Sequence, residues 1–134
     1  IYLARHNSTW RKLIKEEEII SKINKFGFNA INIEDYAFDE QVKIFQNAKF
    51  IVASNGSALN NLIFSNPSET KTIMIGQKNL FNWGGWFGSF KELGYDIEYL
   101  GGEVIGSERD KHRDYFVTPS ALIKKVKSTL SLIL

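Results

Sequence analysis

The chain has 134 residues, enough for one domain with a real core, and its 43% hydrophobic and 24% charged residues are those of an ordinary globular protein. A formal charge of +2, with lysine interleaved with glutamate at Lys15-Glu16-Glu17-Glu18, offers no basic patch for nucleic acid; the lack of cysteine removes disulfide and thiol chemistry. No apolar stretch nears the roughly 20 residues that span a bilayer and no signal peptide is visible, so the expected location is the cytoplasm, with membrane contact at most peripheral, at its inner face.

Ile1-Tyr2-Leu3-Ala4 reads as a first strand. Because the chain opens there without Met, we expect a piece of a longer protein, one domain over residues 1–134 whose N-terminal partner domain is missing. Residues 16–26 read as a helix with Ile19, Ile20, Ile23 and Phe26 on one face, ended by Gly27 as a cap. Residues 28–33 alternate as a strand, and 39–48 form a second helix with Val42, Phe45 and Ile44 as its inward candidates. The run 50–53 reads as a buried strand that opens into the polar turn Ser54-Asn55-Gly56-Ser57, then into a helix over 57–64 carrying Leu59, Leu62, Ile63 and Phe64. Pro67 stops that helix. Residues 70–75 read as the fourth strand, 79–93 as an aromatic-rich segment helical in its second half, and 95–100 as the fifth strand. A polar loop is expected over 106–114, and Thr118 with Pro119 should cap and start a final helix bearing Leu122, Val126, Leu130 and Ile133.

Strands alternating with helices through short connections predict an α/β fold: an open, Rossmann-like parallel sheet flanked by helices. In such sheets ligands sit beyond the carboxyl ends of the strands, near a switch in strand order. That rule brings Arg5, the loop to Arg11, the approach to Glu40, and the Asn55-Gly56-Ser57 turn to one edge. A turn entering a helix presents unpaired backbone N–H groups and partial positive charge, and Gly56 allows close approach, so a phosphate suits it. The competing expectation is a plain turn capped by Ser57.

Arg5 and Arg11 form a guanidinium pair suited to a diphosphate, or else two exposed arginines, one of them paired with Glu16 or Glu17. Glu40 and Gln41 fall in the first turn of their helix, where they complement its dipole or accept bonds from sugar or ribose hydroxyls. Asn61 ties the turn to the neighbouring helix or touches a ligand. His6 and His112 stand far apart with no thiolate near, so no metal site is expected. Ser57 is in no G-x-S-x-G elbow, and Gly84-Gly85 with Gly88 follows no strand, which argues against a dinucleotide domain. Phe81, Trp83, Trp86 and Phe87 form an aromatic cluster for core packing, for a domain contact or for stacking on a sugar or base.

The succession Tyr2-Leu3-Ala4-Arg5, Arg11 to Glu16, Gly27-Phe28, Glu40-Gln41 to Ala48, and Ile51 through Asn55-Gly56-Ser57-Ala58 and Asn61 to Phe64 resembles glycosyltransferase family 61. That resemblance implies the C-terminal, donor-binding half of a two-domain GT-B enzyme of the capsular polysaccharide type: a bacterial, inverting hexosyl- or pentosyltransferase. It implies a UDP-linked nucleotide-sugar donor, a glycan acceptor, no cofactor and no obligatory metal, with the fragment alone inactive. By similarity Arg5, Arg11, Asn55, Gly56 and Ser57 approach the diphosphate, Glu40 and Gln41 match the family's Glu-Gln pair, and Asn61 matches its turn-closing Asn. No catalytic residue is assigned, because such enzymes usually take their base from the N-terminal domain. The chain departs from the family with Asn55-Gly56-Ser57-Ala58 for His-Gly-Ala-Gly, Lys15 for Asn and Met74 for Glu. The alternative these departures favour is a degenerate, non-catalytic module that mediates subunit or domain pairing.

Overall fold

The computed structural model describes residues 1–5, 10–78, 85–106 and 113–133. Six strands form one sheet in the order β2-β1-β3-β4-β5-β6. They are β1 (Tyr2–Leu3), β2 (Ala30–Ile31), β3 (Phe50–Ser54), β4 (Lys71–Gln77), β5 (Asp96–Val104) and β6 (Tyr115–Phe116). The first five run parallel, with Tyr2 opposite both Ala30 and Val52, and β4 aligned with β5 from Lys71–Asp96 to Gln77–Gly102. β6 is antiparallel to the end of β5, pairing Glu103 with Phe116 and Val104 with Tyr115. The sheet is therefore mixed, which corrects the wholly parallel sheet expected from the sequence.

The alternation of side chains along buried strands divides the core into two layers. Tyr2, Phe50, Val52, Ile73 and Ile75 face α1 (Glu16–Ile23) and α4 (Pro119–Ile133), where Ile19, Ile23, Leu122 and Val126 meet them. Leu3, Ile51, Ala53, Met74 and Ile97 face the opposite layer of α2 (Phe38–Asn47) and α3 (Gly85–Glu92), through Phe45 and Phe90. Helices on both faces make the sheet doubly wound. Met74 is a core residue of the second layer.

Most helices match the sequence periods. Glu16–Ile23 continues through a 3₁₀ turn at Asn24–Phe26 to Gly27, whose φ of 84° is the left-handed C-terminal cap. Thr118 caps α4, its Oγ1 accepting the Ala121 N–H at 3.3 Å, although Ile133 is exposed rather than inward. Three expectations need correction. Residues Ser57–Phe64 form a 3₁₀ helix, so burial recurs every third residue, at Leu59 and Leu62, while Ile63 is 57% exposed. The second strand is only Ala30–Ile31, because the chain turns at once into a 3₁₀ segment, Ile33–Asp35. No strand is expected between the fifth strand and the final helix, yet Tyr115–Phe116 form β6; of the loop expected over 106–114, residues 107–112, and with them His112, lie outside the described residues.

Candidate functional site

The chain leaves β1 toward β2 on one side, then returns to place β3 on the other side of β1. The switch in strand order therefore falls between the carboxyl ends of β1 and β3, where doubly wound sheets open a crevice. Arg5 follows β1 and the Asn55-Gly56-Ser57 turn follows β3, so both arrive at that opening. Arg5 Nη1 donates to the Asn55 carbonyl at 2.9 Å. A β-carbon built on Gly56 would lie 3.3 Å from the Arg5 guanidinium carbon, so the missing side chain makes room for the cation. Gly56 is extended, with φ −179°, so its role here is space and not backbone freedom.

The pocket at this opening holds about 370 Å³ and is lined by Ala4, Arg5, Ile33, Glu34, Gln41, Gly56, Ser57, Ala58 and Asn61. The first bond of the 3₁₀ helix runs from the Leu59 N–H to the Gly56 carbonyl, which leaves the N–H groups of Ser57 and Ala58 ahead of it. Gly56 takes the cap position, and no side chain caps that helix, so the expected Ser57 cap is absent. The result is a guanidinium and a helix start on one wall, a set able to neutralise an anion.

Arg5 is itself held from behind. Glu16 is buried, and its carboxylate accepts the Tyr2 hydroxyl at 2.8 Å and the Arg5 backbone N–H at 3.2 and 3.3 Å. Burial lowers the Arg5 pKa, an effect that Arg11 reinforces and that Tyr115, Glu16 and Glu34 oppose. A guanidinium still carries its charge at any working pH. Burial, then the Glu16 carboxylate, raises the Tyr2 pKa, so Tyr2 stays a neutral donor. Tyr115 is 1% exposed, and burial pushes its pKa up to about 12. Its backbone brackets the segment before α1: Ile14 N–H donates to the Tyr115 carbonyl and Tyr115 N–H to the Lys12 carbonyl, at 2.9 and 3.0 Å.

The residues anticipated from the sequence divide. Arg5, Gly56, Ser57, Gln41 and Asn61 share the pocket wall. Asn55 contributes its carbonyl to Arg5. Arg11 does not line the pocket; it sits at φ 53°, close enough for its charge to act on Arg5 and Tyr115. Glu40 does not line it either. Its Oε2 accepts the Ala37 N–H at 2.9 Å, the return arm of a helix cap. Gln41 is held at both ends: Asn61 Nδ2 donates to its Oε1 at 3.0 Å, and its Nε2 donates to the Tyr36 carbonyl at 2.9 Å. Asn61 thus ties the turn to α2. His6, Phe81, Trp83 and the side chain of Trp86 lie outside the described residues, while Phe87 is half-buried with Lys91 Nζ 5.5 Å from its ring centre.

Three contributors escaped sequence reasoning. Glu34 carries a usable signal, an acidic residue just past the second strand. The bonds of the Glu16 carboxylate to the Arg5 backbone N–H and the Tyr2 hydroxyl were not anticipated from the sequence. Tyr115 carries no signal at all, because its strand is two residues long. Among the described residues no cluster of His, Cys, Asp and Glu has metal-binding geometry, and no helix is long and apolar enough to cross a membrane.

These features define a doubly wound α/β domain whose switch point is furnished with a cation and a helix start. A family model described as Glycosyltransferase 61 matches residues 1–74, more than half of the chain, and the chain belongs to that family. The match takes in every residue of the pocket wall, and the membership makes this a protein of glycosyl transfer. No curated protein and no solved structure matches the chain.

Proposed function

We propose that this domain binds the nucleotide-sugar donor of an inverting glycosyltransferase that builds a bacterial surface or capsular polysaccharide in the cytoplasm. In this reading it is the C-terminal half of a GT-B enzyme, and the acceptor glycan and the catalytic base belong to the other half. The carrying observation is Arg5, pinned to the Asn55 carbonyl and packed on Gly56 at the switch point. In-line displacement at the anomeric carbon releases a nucleoside diphosphate, whose growing charge needs fixed positive partners. Arg5 and the N–H groups of Ser57 and Ala58 are held in place before any ligand arrives, and Arg11 adds charge from behind. A metal is not needed for that role.

The test is titration calorimetry of the chain with UDP. Binding is expected, and Arg5→Ala should weaken it by about 10- to 100-fold, the weight of a hydrogen bond to a charged group. Arg5→Lys keeps the charge without the fork and should fall between the two. A folded chain that gives no heat with any nucleoside diphosphate would contradict donor binding and favour a pairing module.

A further inference from the structure

Glu34 stands in the 3₁₀ segment after β2 and is the carboxylate among the described residues that line the pocket. Its charge reaches Arg5, where it opposes the effect of burial. A carboxylate facing a cation and a helix start works against a bare anion. It fits a ligand that carries hydroxyl groups beside its anionic part, because an ionised carboxylate only accepts hydrogen bonds and a vicinal diol offers one donor to each oxygen. The neighbouring polar groups are committed elsewhere, Glu40 to the Ala37 N–H and Gln41 to Asn61 and Tyr36. In doubly wound sheets an acidic residue past a strand end is well placed to take ribose hydroxyls while the pyrophosphate lies at a helix N-terminus.

We infer that Glu34 binds a vicinal diol of the donor, the ribose 2′- and 3′-hydroxyls, with the diphosphate directed to Arg5 and Ser57. This rests on the proposed donor-binding reading. The geometry allows one other source of the same chemistry, the hydroxyls of the transferred sugar, and the ligands tested separate the two.

The experiment titrates the chain and its Glu34→Gln and Glu34→Ala variants with inorganic pyrophosphate, UDP, 2′-deoxy-UDP and UDP-glucose, with thermal melts to confirm that each variant folds. Glu34 is exposed at a turn, so both variants should fold. The wild-type chain should prefer UDP over 2′-deoxy-UDP by about tenfold, as expected for one charge-assisted hydrogen bond. Both variants should lose that preference and hold pyrophosphate at least as tightly as before. A Glu34-dependent preference for UDP-glucose over UDP, with none between the two diphosphates, keeps the diol and assigns it to the sugar. Equal affinities for all three nucleotides, or a ribose preference that survives in both variants, overturns the inference while Arg5-dependent pyrophosphate binding leaves donor binding standing. No binding of any ligand, pyrophosphate included, overturns both.

Discussion

The guanidinium of Arg5 packs against Gly56, with its central carbon 3.3 Å from where a β-carbon there would sit. Gly56→Ala is therefore a clean probe. The extended backbone accepts alanine, and the obstructing atoms are the end of a flexible side chain, so stability should change by less than about 0.5 kcal/mol. The guanidinium must nevertheless shift by a few tenths of an ångström, which disturbs its bond to the Asn55 carbonyl and its aim into the pocket. UDP affinity is expected to fall about tenfold at unchanged melting temperature, the cost of misplacing one charged hydrogen bond. Calorimetry and a thermal melt read the two quantities separately.

Lys15 precedes α1 at φ 56°, ψ 38°, a left-handed conformation that costs most side chains free energy. Asn tolerates this region better, because its short polar group bonds to local backbone. Lys15→Asn should stabilise the chain by about 0.5–1 kcal/mol, and Lys15→Gly should also relieve the strain. Urea denaturation midpoints with unchanged slopes would establish it; a destabilised Lys15→Asn would refute the strain argument.

Tyr115 links the fold to alkaline pH. Its ordinary pKa of 10.0 is pushed up to about 12 by burial in the folded chain. Above pH 10 the unfolded chain ionises this phenol and the folded chain does not, so the folded state binds more protons and stability falls as pH rises. The contribution is complete below pH 10 and is lost between about 10 and 12. Tyr2 and Tyr99, also raised by burial, act in the same direction. Tyr115→Phe should cost less than about 1 kcal/mol at neutral pH, because the phenol's bond to the Ile75 carbonyl is long, at 3.5 Å. Its stability should then decline less steeply than wild type across the alkaline range, as denaturant midpoints at stepped pH will show.

Parallel strands and amphipathic helices were legible because burial on both faces writes long apolar runs and a helical period into the chain. The Asn55-Gly56-Ser57 turn was legible for the same reason, standing between a buried strand and a periodic segment. What was not legible depends on distance. Tyr115 and Phe116 have no period to read; they become a strand because the end of β5 offers an edge and the 12–14 segment closes over them. Eight residues cannot separate a period of 3.6 from one of 3.0, and it is the tighter winding that buries Leu59 and Leu62 and leaves Ile63 exposed. Glu34 went unread, while the acceptor role at the pocket was given to Glu40, six residues further on. Glu40 is instead bound to the Ala37 N–H and does not line the pocket.

The Asn61–Gln41 bond gives the last prediction, because it separates positioning from ligand contact. Asn61 Nδ2 donates to Gln41 Oε1 at 3.0 Å and Gln41 Nε2 to the Tyr36 carbonyl at 2.9 Å, a chain that joins the turn after β3 to α2. Asn61→Ala and Gln41→Ala should each destabilise the chain by about 0.5–1.5 kcal/mol, the usual net worth of a hydrogen bond. The double variant should cost less than the sum, since either change breaks the shared bond. If the pair only positions the turn, UDP affinity should fall equally in both single variants and no further in the double. An additive loss of affinity would instead place one of the two amides directly on the ligand.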